Sequence, residues 1–254
     1  MTTNVRSRRT APEVEVFNNR NGDGLLINKE VMERLADKAF RRFNGTDSTS
    51  KVWFPYQWNM SVQESRKEFT KLVAAVLASS EGRVVTATVK GEPAGFSIVT
   101  GMSIFTESIR AMKEGKLEKV EDYTDVVRQL KTYEKIADKF NTLLINFGYF
   151  ADIAVAKKLE GKGVGKVLVR TSIEEVTGLG KDAAMAWTVN PVMGHLLKTF
   201  GAVKVPGIGR TGRGIDFAVQ ESTGLIVPTV SAPEEGFGKV NAKHYVLTEL
   251  QRAK

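Results

Sequence analysis

The chain has 254 residues, 42% of them hydrophobic and 26% charged, with 7 Pro against 23 Gly, which is the balance of an ordinary folded protein of one large domain or two small ones. It contains no Cys and only two His, His195 and His244, so thiolate nucleophiles, disulfides, zinc–sulfur sites and multi-histidine metal centres are excluded. Basic residues outnumber acidic ones, 37 to 29, and the net charge of +8 favours an anionic partner such as a phosphorylated cofactor, nucleic acid or an acidic protein surface without choosing among them.

Residues 1–12 carry Arg6, Arg8 and Arg9 among small polar residues and are expected to form a basic arm, either a solvated tail or a docking element. Residues 14–17 are a candidate first strand. Residues 28–43 repeat Val31, Leu35, Ala39 and Phe43 at helical spacing behind an Asn28 cap. An aromatic group follows at Trp53, Phe54, Tyr56 and Trp58, readable as core or as a ligand cage. A second helix begins near Ser61 and buries Phe69, Leu72, Val73, Val76 and Leu77. The longest apolar run, residues 72–78, is far short of the roughly 20 residues that a membrane helix needs. Neither a membrane span nor a secretory leader is signalled, and a cytoplasmic protein is expected.

From Arg83 the pattern is β: residues 84–89, a Lys90-Gly91-Glu92 turn and residues 94–99 read as a hairpin. Residues 101–147 read as helical, with Tyr123, Val127, Leu130, Tyr133, Ile136 or Ala137, and Phe140 recurring every three to four positions. The remaining expectations are strands near 148–156, 183–189, 215–220 and 244–250, with helices at 164–178 and 191–200. The strands at 215 and 244 are expected to close the sheet. The Gly- and Arg-alternating residues 207–214 read as a glycine-rich loop rather than a nucleic-acid segment, since they lack interleaved aromatics. Residues 222–239, rich in Gly, Pro, Ser and Thr, read as a surface excursion.

The chemistry concentrates in Asp152-Ile153-Ala154-Val155-Ala156-Lys157-Lys158-Leu159-Glu160-Gly161-Lys162-Gly163-Val164-Gly165-Lys166. A strand runs through a glycine-rich loop straight into a helix, an arrangement that offers unpaired backbone N–H groups at the positive end of a helix dipole. Lys162 and Lys166 add charge suited to a pyrophosphate. The stretch matches neither the P-loop spacing nor the dinucleotide fingerprint, because Gly161, Gly163 and Gly165 alternate evenly.

These residues resemble the signature of the GNAT N-acyltransferase superfamily, a strand ending in Val followed by a loop and x-x-Gly-x-Gly opening a helix. Asn190 through Ala202 keep the spacing of that family's next helix, and residues 90–96 resemble its central hairpin turn. The resemblance spans residues 83–99 and 148–205, at most half the chain. It implies an α/β (α+β) fold with a central mixed, mostly antiparallel sheet flanked by helices. Residues 13–254 would form a single domain, with residues 101–147 as a helical insertion between the central strands.

It further implies acetyl-CoA as co-substrate, with its pyrophosphate on Gly161, Lys162, Gly163, Val164, Gly165 and Lys166 and with Glu160 beside it in the cofactor site. Its pantetheine arm would pair with Ile153, Ala154 and Val155 in a splay between strands, and Asn190 would lie beside it. The expected reaction is direct acetyl transfer to a primary amine, with no metal. Asp152 is the candidate base, directly or through water, or else a strand-end carboxylate with a structural partner. Tyr149 is a candidate catalytic phenol.

Three features depart from the family's pattern. Glu160 replaces the usual Arg or Gln, Leu197 stands where a thiolate-protonating Tyr is common, and the insertion replaces a tight turn. His195, two residues before Leu197, points to a different side of that helix and reads as a surface residue. They keep open an alternative: a catalytically degenerate binding or structural protein of this fold, in a homo-oligomer or in a larger assembly such as a virus particle. The amine acceptor is not specified, and no nucleic-acid recognition motif is present.

Overall fold

A computed structural model describes residues 13–18, 62–188, 190–206, 214–230, 243–248 and 250. The basic arm, the expected helix at 28–43, the aromatic group at 53–58, residues 207–213 and residues 231–239 lie outside the described residues.

In chain order the described strands are β1 (Glu15–Asn18), β2 (Gly82–Val89), β3 (Glu92–Gly101), β4 (Phe147–Val155), β5 (Ala183–Thr188), β6 (Val203–Lys204), β7 (Ile215–Val219), β8 (Ile226–Val230) and β9 (Lys243–Leu247). The helices are α1 (Val62–Ala78), α2 (Ser103–Lys113), α3 (Tyr123–Lys139), α4 (Val164–Gly178) and α5 (Pro191–Thr199). Seven strands form one mixed sheet in the order β1-β2-β3-β4-β5-β9-β6. Every pairing is antiparallel except that of β4 with β5. The β2–β3 hairpin turns on Lys90 and Gly91, whose φ of 53° and 71° supply the two left-handed residues that match the twist of the paired strands.

Helical periodicity assigns each helix a face. Phe69, Leu72, Val73 and Val76 of α1, Phe105, Ile109 and Met112 of α2, and Val126, Leu130, Tyr133 and Ile136 of α3 are buried on the first face of the sheet. Val169, Ile173 and Val176 of α4 and Leu197 of α5 are buried on the second. Burying each such large apolar side chain contributes about 1.5–3 kcal/mol relative to leaving it in water. The segment expected to be helical, 101–147, is α2, α3 and the short 3-10 turn Leu144–Asn146.

Two expectations change. The strand at Ile215 does not extend the main sheet; it is β7 and pairs with β8 in a separate two-stranded sheet that packs against α1, α2 and α3. Residues 222–239 are not simply a surface excursion either, because β8 runs through them with all five of its residues buried. Pro228 and Thr229 disguise that strand in the sequence, and a two-stranded ribbon tolerates the proline because every strand in it is an edge.

The sheet forks at its centre. β4 pairs with β5 only through residues 147–150 against 183–186. Beyond that point residues 152–155 stay with β3, while Trp187 and Thr188 pair with β9.

Candidate active site

The second-face side of the fork is built from one continuous stretch of sequence. β4 ends at Val155, the 3-10 turn Lys157–Leu159 follows, and Gly161 and Gly163 take φ of 69° and 91° before α4 begins. A Cβ added at Gly161 or Gly163 would meet nothing within 4 Å, so the loop faces open space. The first turn of α4 leaves N–H groups without intrahelical acceptors, and they lie at the positive end of the helix dipole. Val164 anchors the turn in the core, while Lys162, Lys166 and Glu160 are exposed around it. At Gly165 an added Cβ would lie 3.6 Å from both Val155 Cγ2 and Leu196 Cδ2, so β4, α4 and α5 meet here. On the side of β4 turned toward β5, the backbone of Ile153, Ala154 and Val155 has no strand partner among the described residues.

On the first face, a bulge decides what the fork presents. Ile98 and Val99 of β3 pair with Asp152 and Phe150, leaving Ala151 as an extra residue in β4. Alternation would put Tyr149 and Asp152 on opposite faces. The bulge places them on the same one, with Ile98 and Ala154. Asp152 is 9% exposed and has no hydrogen bond or ion pair among the described residues. Burial pushes its carboxyl up to about 8, and the nearby Asp216 carboxylate on β7 adds to the rise. Asp216 itself accepts the Phe217 N–H at 2.9 Å.

Next to this pair, the Ile215 peptide is held from several elements. Tyr149 Oη donates to its carbonyl at 2.6 Å and Trp187 Nε1 at 3.0 Å, and its N–H approaches Tyr133 Oη at 3.5 Å. Tyr133 Oη lies 3.1 Å from His244 Nε2, and Gln129 Nε2 lies 3.3 Å from the same atom. The other ring nitrogen, Nδ1, is buried with no partner among the described residues. Burial pulls His244 down to about 4, so the ring is neutral. Burial likewise pushes Tyr133 up to about 12 and Tyr149 well above 10, so both phenols keep their protons.

The structure gathers Asp152, Ile153, Ala154, Val155 and residues 160–166 around the fork. Tyr149 is there too, with its hydroxyl committed to a backbone carbonyl. Asn190 caps α5, its Oδ1 accepting the Val192 N–H at 2.9 Å. Leu197 is fully buried and His195 is exposed on the outer side of α5.

Sequence reasoning did not single out Tyr133, Gln129, Asp216, Trp187, Tyr245 or a role for His244. Tyr245 pairs with Ala186 where β4 and β5 part, and its Oη would lie 2.5 Å from a Cβ added at Gly194 of α5. The only signal for it in the sequence is the glycine that makes room for the ring. Among the described residues no group of three or more metal-ligating side chains occurs, and no helix is long and apolar enough to cross a membrane.

No family model and no curated protein matches the sequence. Solved structures do match the fold. The Drosophila melanogaster polyamine N-acetyltransferase, which catalyses formation of N-acetylagmatine, aligns with a TM-score of 0.53 at 10% identity, over 93% of this chain and 100% of that one. A mosquito arylalkylamine N-acetyltransferase, like 5b, aligns at 0.50 and 14% identity, over 92% and 99%. A GNAT-family acetyltransferase from Streptococcus pneumoniae aligns at 0.46 and 14%, over 92% and 99%. At these identities the likeness is one of fold, and the fold is the one these N-acetyltransferases share.

Proposed function

We propose that the protein is an N-acetyltransferase that moves an acetyl group from acetyl-CoA to a primary amine by direct transfer. The observation that carries this reading is a nine-tenths-buried Asp152, with no partner among the described residues, at the bulge of a forked sheet whose strand runs on into an open glycine loop. The residues present fit the cofactor: an open cradle at Gly161 and Gly163, strand backbone at residues 153–155 with no partner on its β5 side among the described residues, and Lys162 and Lys166 at the rim.

When bound, acetyl-CoA supplies the acetyl thioester. The N–H groups at the start of α4 would hold its pyrophosphate, and the backbone of Ile153 and Val155 would align its arm in the fork. Asp152 accepts the proton that the acceptor ammonium must lose before it can attack. A carboxyl raised to about 8 has the basicity for that transfer near neutral pH, where a normal carboxylate is too weak a base. Tyr149 positions the Ile215 turn, since its proton is committed there. Tyr245 is the phenol placed to donate at the fork, in the role that Leu197 cannot fill.

The test is calorimetric titration with acetyl-CoA for the protein and for Gly163→Trp. Micromolar binding that the variant loses supports the reading, and no binding at millimolar acetyl-CoA ends it. The backbone at Gly163, φ 91°, already disfavours any side chain, so thermal unfolding of the variant is recorded alongside.

A further inference from the structure

The fork opens at one point, and a single peptide spans it. Carried one step further, the parallel ladder of β4 and β5 would pair Ala151 with Trp187, but it stops at Phe150 and Ala186. Ala151 is also the residue that the bulge leaves out of the ladder with β3. Over this gap, on the first face, lies the Ile215 carbonyl. It accepts Tyr149 Oη from β4 at 2.6 Å and Trp187 Nε1 from β5 at 3.0 Å. One oxygen thus joins the two strands where their own hydrogen bonds end.

The seat of that peptide is the indole itself, because a Cβ added at Gly214 would lie 2.3 Å from Trp187 Cδ2 and Cε2. From the other side, the Ile215 N–H approaches Tyr133 Oη at 3.5 Å, and Tyr133 Oη lies 3.1 Å from His244 Nε2. His244 stands opposite Trp187 in the pairing of β5 with β9, so these contacts close a circuit that returns to the indole.

We propose that Trp187 is a positioning residue that sets the opening of the fork: its indole N–H ties β5 to the peptide oxygen that Tyr149 ties to β4. This rests on the acetyltransferase reading, in which the cofactor's arm lies along residues 153–155, just past that point. Trp187 acts without touching the cofactor or the amine. It holds the two strands at the separation the arm requires, so acetyl-CoA meets a fork that is already ordered.

The test compares acetyl-CoA binding, by calorimetry, in the native chain, Trp187→Phe, Tyr149→Phe and the double variant. Phenylalanine keeps an aromatic ring at each position and removes the donor. Each single variant should raise the dissociation constant about tenfold, the scale of one hydrogen bond. The double variant should raise it no more than about twofold further, since breaking either tie already frees the strands. Val76→Ala, which opens a cavity in α1 beside Gly82, controls for lost stability. It should lower the melting temperature and leave the dissociation constant within about twofold.

Unchanged affinity in Trp187→Phe overturns the proposal, and so do effects that multiply in the double variant or an equal loss in Val76→Ala. If Trp187→Phe does not fold, Tyr149→Phe decides alone by the same criterion. The Trp187 indole N–H, followed by NMR in the native chain, should exchange slowly with solvent, and fast exchange overturns the proposal without any variant. A native chain that does not bind acetyl-CoA is a different result, which removes the acetyltransferase reading and this inference with it.

Discussion

The two faces of the forked strand β4 are built in opposite ways. On the second face, the strand end, the glycine turn and the start of α4 are contiguous in sequence, exposed, and defined by backbone conformation. On the first face, Asp152, Asp216, Tyr133 and His244 come from four elements, are largely buried, and are defined by packing; Tyr133 and His244 lie 111 residues apart. A site made of backbone can be read from spacing. A site made of buried side chains exists only once the fold has brought them together, and its electrostatics follow from burial more than from sequence neighbours.

The sharpest way to separate the two faces is Asp152→Asn. Loss of the proton acceptor should lower kcat/KM about a thousandfold while leaving acetyl-CoA affinity unchanged. Retained activity would remove Asp152 as the base. The same variant bears on stability. The folded carboxyl sits near 8, above the ordinary 3.8, so the cost of its buried charge is absent below pH 3.8 and grows as pH rises to 8. The melting temperature of the variant should therefore pull ahead of the native chain between pH 4 and 8.

Next in size is the packing of the first face. His244→Leu leaves the Tyr133 hydroxyl and the Gln129 amide without their shared partner and should cost about 2–4 kcal/mol in urea unfolding. The histidine also titrates. Its folded value near 4 lies below the unfolded 6.5, so its stabilising contribution is whole above pH 6.5 and is lost as pH falls toward 4. Asp152 runs with the opposite sign over much of the same range, so this slope is best measured in the Asp152→Asn background. There, His244→Gln should flatten it. A slope that persists would assign the acid sensitivity to other groups.

The smallest effect concerns Asn190, whose side chain caps α5. Asn190→Ala should cost about 1 kcal/mol through the lost α5 cap and leave acetyl-CoA affinity unchanged within about twofold. A large loss of affinity would give Asn190 a part in the cofactor site as well.

The legible part of the molecule follows the same division. The helix expected at 164–178 is α4, Val164–Gly178, and the Lys90-Gly91 hairpin stands where its turn residues put it, because both signals are local. Tyr133 carries no such signal, since in the apolar stripe of α3 a core tyrosine and a site tyrosine look the same. β8 was hidden by Pro228, and the departure of β7 from the main sheet depends on where α2 and α3 pack, which no spacing encodes. Asp152 was legible as a residue of interest, but its burial without a partner among the described residues was not.

The extra residue at Ala151 gives the centre of the molecule a parity. Removing that residue would keep Asp152 opposite Ile98, whereas straightening β4 with all its residues in the ladder would make every side chain from 152 to 155 exchange faces. Ile153 and Val155 would turn toward the Ile215 peptide, and the carboxylate would be driven into the apolar layer beneath α4. The chemistry of the fork thus depends on the strand holding one residue out of the ladder.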